Sequence, residues 1–271
     1  MIHGFAFRFS QCRDNSNDSQ QCPFAPLRPC YIVISMSNPL WNKKLKCPFC
    51  GVEFETTRMR SSAIKVKEKE SDFGSIYEGE CPYLYAITVC PHCTFAAMNK
   101  DFDSLRAGAE PKIMEASKKM RQLNSKKPDI FALGASTPLV AVKRHELAIA
   151  FSKMRAFQEP AILPSLYLHL VWLFRLMKDE PKERAAMTET AAAYEEFLHK
   201  GSDMPENLGE PGILYLIGEL YRRRDLYKEA RRFYERALAS REIRSFPKIA
   251  EMIRDMMMEA KEKMAISDST E

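Results

Sequence analysis

The sequence predicts an α+β fold, a small β-rich part followed by a mainly α-helical array. Two Cys-x-x-Cys pairs, Cys47/Cys50 and Cys90/Cys93, have the spacing of four thiolate ligands around one tetrahedral zinc. Apolar residues around these pairs alternate with period two, and from about Pro138 they recur at helical spacing almost to the end of the chain. Together these point to a zinc-ribbon-like unit over residues 36–98, a connecting helix and linker over 99–137, and a helical domain over 138–265.

Residues 1–35 differ in character from the rest of the chain. They are polar around Asp14 to Gln21 and broken by Pro23, Pro26 and Pro29, which predicts disorder. Met36 opens a Met-Ser-Asn-Pro-Leu-Trp run that would make a natural protein start, so the first 35 residues are expected to be an upstream extension. Cys12, Cys22 and Cys30 fall there at irregular spacing and are not expected to bind metal. Residues 266–271 are expected to be a disordered tail.

In the ribbon, Val52 and Phe54 alternate with Glu53 and Glu55, and Ile64 and Val66 with Lys65 and Lys67. Tyr85, Ile87 and Val89 share one face of a strand entering Cys90. The Lys-rich stretch from Lys118 to Lys127 with Pro128 reads as a linker or exposed hinge. Helices are expected from about Val142 to Phe157, from Pro164, and from Asp179 and Pro181 to Gly201. Three more cover Pro211 to Arg224, Leu226 to Ser240, and Pro247 to about Met264. The Pro164 helix is apolar nearly all round and is expected to be central. Leu214, Ile217, Gly218 and Tyr221, then Tyr227, Ala230, Tyr234 and Ala237, have tetratricopeptide spacing. Small Gly218 and Ala230 let two helices approach, with Tyr221 and Tyr234 filling the gaps. The flanking helical hairpins are degenerate versions.

With 45% hydrophobic residues the chain can build a substantial core. The richest apolar stretch, Ala161 to Met177, contains Pro164, His169 and Arg175 and reads as a buried helix, not a membrane span. Met1 to Ser10 has no basic region followed by an apolar segment, so no secretory signal is expected and a cytoplasmic location is the default. Paired cysteines there more often hold metal than disulfides. The net charge of +5 is mild, and its excess lies in residues 1–130. It permits an anionic partner without indicating one.

Each Cys pair forms a knuckle, Cys47-Pro48-Phe49-Cys50-Gly51 and Cys90-Pro91-His92-Cys93-Thr94. Proline restricts each turn, and a small residue after the second Cys lets backbone amides face the thiolates. The 39 residues between Cys50 and Cys90 enlarge the usual intervening hairpin. Four Cys ligands close a zinc site, which makes it structural and not catalytic. A redox pair would need a strand-to-helix context that is lacking here. His92 is read as an exposed knuckle residue, and Cys81 as a buried or spare thiol, with a replacement ligand as its alternative. Arg58, Arg60, Lys65, Lys67 and Lys69 give the ribbon a basic side; Arg58 and Arg60 are the candidate nucleic-acid contacts. Glu53, Glu55, Glu68 and Glu70 interleave with them, so a solvated face is the competing reading. Arg222 to Arg224, Arg231, Arg232 and Arg236 read as exposed sides of the repeat helices. Met256 to Met258 read as core or capping surface, and His145 and His169 as satisfied core or surface residues. No Gly-rich phosphate loop, nucleophile elbow or His-Glu-x-x-His helix occurs, and no enzyme is expected.

Five blocks in order carry a family resemblance: Cys47-Pro-Phe-Cys-Gly; Arg60-Ser61-Ser62; Asp72-Phe73 with Tyr77; Pro82 with Tyr85; and Cys90-Pro-His-Cys joined to Phe95-Ala96-Ala97. From Met36 to about Leu238 the chain resembles the bacterial DUF2225 family. The resemblance implies a zinc ribbon followed by tetratricopeptide-like helices and attaches no activity. Two departures stand out, Cys81-Pro82 where the family usually has Asn-Pro, and Thr94 where its second knuckle usually ends in Gly. The expected function is a non-catalytic zinc-binding adaptor whose helical array holds a protein partner. The alternative is a nucleic-acid-binding ribbon docked to a protein-binding helical domain.

Overall fold

A computed structural model describes residues 38–104, 111–124, 128–155, 161–201 and 204–268. The disorder expected for residues 1–35, with Cys12, Cys22 and Cys30, lies outside them, as do residues 269–271 of the expected tail, whereas its residues 266–268 are helical. Three two-stranded antiparallel hairpins come first. They are β1 (Leu40–Lys46) with β2 (Glu53–Met59), β3 (Val66–Lys69) with β4 (Ser75–Tyr77), and β5 (Ile87–Val89) with β6 (Ala96–Met98). The helices are α1 (Asn99–Ser104), α2 (Pro111–Asn124), α3 (Pro138–Met154), α4 (Ile162–Leu176), α5 (Glu180–His199), α6 (Gly209–Arg222), α7 (Tyr227–Ala239) and α8 (Pro247–Asp268). They pack chiefly as neighbours, α3 on α4, α4 on α5, α5 on α6, α6 on α7 and α7 on α8, and the fold is α+β.

Local chemistry sets the helix ends. Thr137 caps α3 by accepting from the Val140 amide, with Pro138 in the first turn. Asp179 caps α5 in the same way by accepting from the Lys182 amide. Gly201, at φ 60°, ends α5 in the left-handed conformation that glycine adopts without steric cost. Helix α3 starts four residues earlier than the apolar pattern suggests, because Thr137 and Pro138 form its entry.

Helix α4 is central, as expected, with Val171 and Leu173 fully buried. Helix α6 is more deeply enclosed still, since all residues from Gly209 to Leu220 except Glu210 are buried, including the carboxylate-bearing Glu219. Gly218 makes the α6/α7 approach possible, because a Cβ there would lie 2.5 Å from the Tyr234 ring. Tyr234 and Ala230 are buried against it, and Tyr221 stacks on Phe233.

Several expectations are corrected. Strand β1, not expected as an element, pairs along its whole length with β2, Leu45 opposite Phe54. Tyr85 belongs to a 3-10 turn (Pro82–Tyr85) and not to the adjoining strand. Strand β3 is exposed along its length, so its alternation buries nothing. The Lys-rich stretch read as a hinge is helical as far as Asn124. Arg222 and Arg223 do not point to solvent but turn inward, Arg222 onto Glu219 and both onto the Ser71 hydroxyl. Met256 and Met257 pack against the α6–α8 core, whereas Met258 is exposed.

Candidate metal centre

The knuckles are the turns of hairpins β1/β2 and β5/β6, and they are built alike. Each first cysteine donates its amide across the turn, Cys47 to Val52 O (3.0 Å) and Cys90 to Phe95 O (2.8 Å). Each closing residue donates back to that cysteine's carbonyl, Gly51 to Cys47 O (3.0 Å) and Thr94 to Cys90 O (2.8 Å). Both closing residues are left-handed, Gly51 at φ 71° and Thr94 at φ 62°. Glycine takes that conformation freely; a β-branched threonine is held there against its preference. The Thr94 hydroxyl is also buried without a hydrogen bond.

The two knuckles bring all four thiols together. Cys47 Sγ lies 3.6 Å from Cys93 Sγ, Cys50 Sγ lies 3.7 Å from Cys90 Sγ, and all four sulfurs fall within 4.8 Å of one another. A tetrahedral ion with metal–sulfur bonds of about 2.3 Å requires sulfurs about 3.8 Å apart, so the set fits such a metal. No disulfide joins them. Among the described residues this is the one group of three or more His, Cys or carboxylate side chains suited to a cation. Hydrogen bonds from Cys90 and then Cys93 pull the Cys47 thiol down to about 2, while contact with Cys47 pushes Cys90 up to about 12 and Cys93 upward as well. Four ligating thiolates at this spacing repel one another and require a cation between them.

The site is backed by aromatic residues. Phe49 and Phe95 lie with ring centroids 4.2 Å apart, and buried Phe95 continues onto Phe102 of α1 and Phe151 of α3. The knuckles are therefore seated on the first helices.

Other candidate residues are placed elsewhere. Cys81 stands apart from the cluster at the start of the 3-10 turn, half-buried, with burial pushing its thiol up. His92 is exposed on its knuckle. The Arg58 guanidinium is spent on Asp103 through two hydrogen bonds and on the Thr88 hydroxyl. Arg60 binds the Asn38 carbonyl through Nε and is otherwise exposed. Histidines 145 and 169 are joined to each other, with Nε2 and Nδ1 3.3 Å apart.

A polar cluster that spacing did not reveal lies at the tip of the β3/β4 hairpin. Arg175 of α4 binds fully buried Asp72 through both Nη atoms, and also Glu70 and Glu183. Burial opposes the charge on Asp72, but Arg175 and Arg223 hold its carboxyl below the ordinary range. Tyr215 of α6 donates to the Ser71 carbonyl (2.8 Å). The only trace of this cluster in the sequence was the Asp72-Phe73 block.

No helix among the described residues is long and apolar enough to cross a membrane. The chain is 25% identical to a protein of Borreliella burgdorferi described as uncharacterized, over 66% of this chain and 75% of that one. No solved structure matches it. Residues 40–260, from the first strand through most of α8, match the family described as "Uncharacterized protein conserved in bacteria (DUF2225)", and the chain belongs to that family.

Proposed function

We propose that this chain is a non-catalytic, cytoplasmic adaptor in which a structural zinc holds the β-hairpin part against a helical array that binds a protein partner. The observation that carries this reading is the closed four-sulfur set. Four thiols within 4.8 Å leave a tetrahedral ion no open position for water or substrate. Zinc fits best, because an all-thiolate tetrahedron favours a borderline-soft ion without geometric demands of its own. Paired helices with small residues at their contacts support an interaction scaffold of tetratricopeptide type. The commitment of Arg58 to Asp103 speaks against the ribbon as a nucleic-acid surface, since that guanidinium is no longer free for phosphate.

Native mass spectrometry of the purified chain is expected to show one zinc per chain, and affinity purification of the zinc-loaded protein a stoichiometric protein partner. A folded, zinc-loaded protein that recovers no partner above background overturns the adaptor reading. A chain that holds no zinc overturns the assignment of the metal.

A further inference from the structure

We propose that the surface formed by α4 and α6 recognises acidic–aromatic turns in proteins, and that the chain's own Glu70–Gly74 turn fills it as an intramolecular ligand. This rests on the adaptor reading and adds the chemistry of the partner. Four separate features of the turn are read. Arg175 forks onto the Asp72 carboxylate, with Nη2 to Oδ2 at 2.6 Å and Nη1 to Oδ1 at 3.2 Å. Tyr215 Oη donates to the Ser71 carbonyl, so the backbone is held independently of side chains. The Tyr215 ring also meets Phe73, with centroids 5.5 Å apart. Gly74 sits where any Cβ would come within 2.8 Å of Trp172 Nε1, so the position after the aromatic residue admits only glycine. Arg222 and Arg223 add hydrogen bonds to the Ser71 hydroxyl. The site therefore reads an acidic-Ser-Asp-aromatic-Gly turn through three guanidiniums, of which Arg175 is shared with Glu183 and Arg222 with Glu219 and Glu259.

The internal ligand is an imperfect fit. Phe73 is held at φ 64°, a conformation aromatic residues rarely adopt. Arg223 Nε is buried without a hydrogen bond, 3.8 Å from both Asp72 and Glu219, and Trp172 Nε1 is likewise unpaired. Two donors thus remain for a ligand richer in acceptors. Strand β3 is exposed along its length, and the stem is held through β4, where the Ser75 amide donates to Tyr83 Oη and Tyr77 packs on the Tyr83 ring. A tethered ligand competes at an effective concentration on the order of millimolar, so the unaltered chain masks its own site.

The test uses a labelled synthetic peptide of residues 66–78 and the full metal-loaded chain carrying either Asp72→Ala or Phe73→Ala, the latter removing the ring while leaving the left-handed strain. The second variant keeps every ion pair of the cluster and remains informative should the first fail to fold. The peptide is expected to bind Asp72→Ala at least tenfold, and Phe73→Ala several-fold, more tightly than the unaltered chain. Binding should weaken with added salt, and the peptide carrying Asp72→Asn should lose tenfold or more. Variants that are folded by circular dichroism yet bind neither peptide, or bind both equally, overturn the proposal. Peptide binding without any captured partner leaves this recognition site standing and removes the adaptor reading.

Discussion

Arg175 on α4 holds Asp72, 103 residues earlier in the chain, through Nη2 to Oδ2 at 2.6 Å and Nη1 to Oδ1 at 3.2 Å, and Asp72 is fully buried in that grip. Arg175→Ala leaves this carboxylate in a dry site with Arg223 Nε at 3.8 Å as its remaining cation. A loss of about 3 kcal/mol is expected, since breaking a buried pair strands a charge. Urea denaturation reads it. The Asp72→Ala/Arg175→Ala pair should cost less than the sum of the single changes by at least about 1 kcal/mol, and additive costs would show that the two side chains do not act together. Because the Asp72 carboxyl titrates lower when folded, its contribution is present above about pH 4 and is lost as pH falls further.

Buried His145 and partly buried His169 make the fold sensitive to milder acid. His145 donates Nδ1–H to the Ala141 carbonyl, leaving Nε2 to accept from His169. Burial lowers His145 to about 4, and burial together with the neighbouring imidazole lowers His169 to about 3. The unfolded imidazoles titrate near 6.5. The unfolded chain therefore binds more protons below that value, and stability is complete above it and declines as pH falls. One fully buried histidine contributes a slope of about 1.4 kcal/mol per pH unit between its two pKa values. Denaturant midpoints measured from pH 7.5 to 5 should fall, and His145→Asn should flatten the curve. An unchanged slope in that variant assigns the acid sensitivity elsewhere.

Metal retention should divide the cysteines. Cys47→Ser or Cys93→Ser is expected to reduce the metal content from one ion per chain to none and to destabilise hairpins β1/β2 and β5/β6, because metal binding and folding of such sites are linked. Cys81→Ser should retain the full metal content. Native mass spectrometry checks all three, and metal loss on changing Cys81 would make it a ligand.

Thr94 is a site where the chain can be improved. Thr94→Gly relieves a left-handed β-branched residue and removes a buried hydroxyl that has no partner. A gain of about 1 kcal/mol is expected, visible as a rise of a few degrees in Tm for the metal-loaded protein. Gly51→Thr at the matching position of the first knuckle should lower Tm. Equal Tm values for the two knuckle variants would show that turn strain contributes nothing.

Gly218→Ala should be among the more costly single-methyl additions. The new Cβ meets the Tyr234 ring, whose hydroxyl is pinned to the buried Glu219 carboxylate and cannot swing aside. A cost of about 2 kcal/mol is expected from overpacking a filled contact. Chemical denaturation measures it, and a neutral outcome would mean that α6 and α7 can separate without loss.

What could be read from the sequence was what is local. The Cys-Pro-x-Cys turns carry their own geometry, so the metal ligands were legible. The helices with Thr, Asp, Pro or Gly at their ends were nearly so. The spacing of Gly218, Ala230 and Tyr234 disclosed one helix pair, because that contact is between neighbours. Alternation misled at β3, where no sheet covers either face. Arg222 and Arg223 looked like a solvated basic run, because their Ser71 partner lies 151 and 152 residues away. Asp72 was invisible as a buried charge for the same reason, since nothing within the hairpin distinguishes it from a surface aspartate.

The order in which the chain is synthesised gives the two ends of the β3/β4 insertion different histories. The thiols of Cys47 and Cys93 are 46 residues apart and meet as soon as the second knuckle has emerged. Ser71 must wait for Tyr215, 144 residues further on. At roughly 5–20 residues per second that interval is about 7–30 s. During it the knuckles can already be closed while the Glu70–Gly74 tip has no helical surface to meet. The order of synthesis thus makes the metal site available before the surface that holds the turn, and a ribosome stalled before α6 would present the tip to any other surface that reads it.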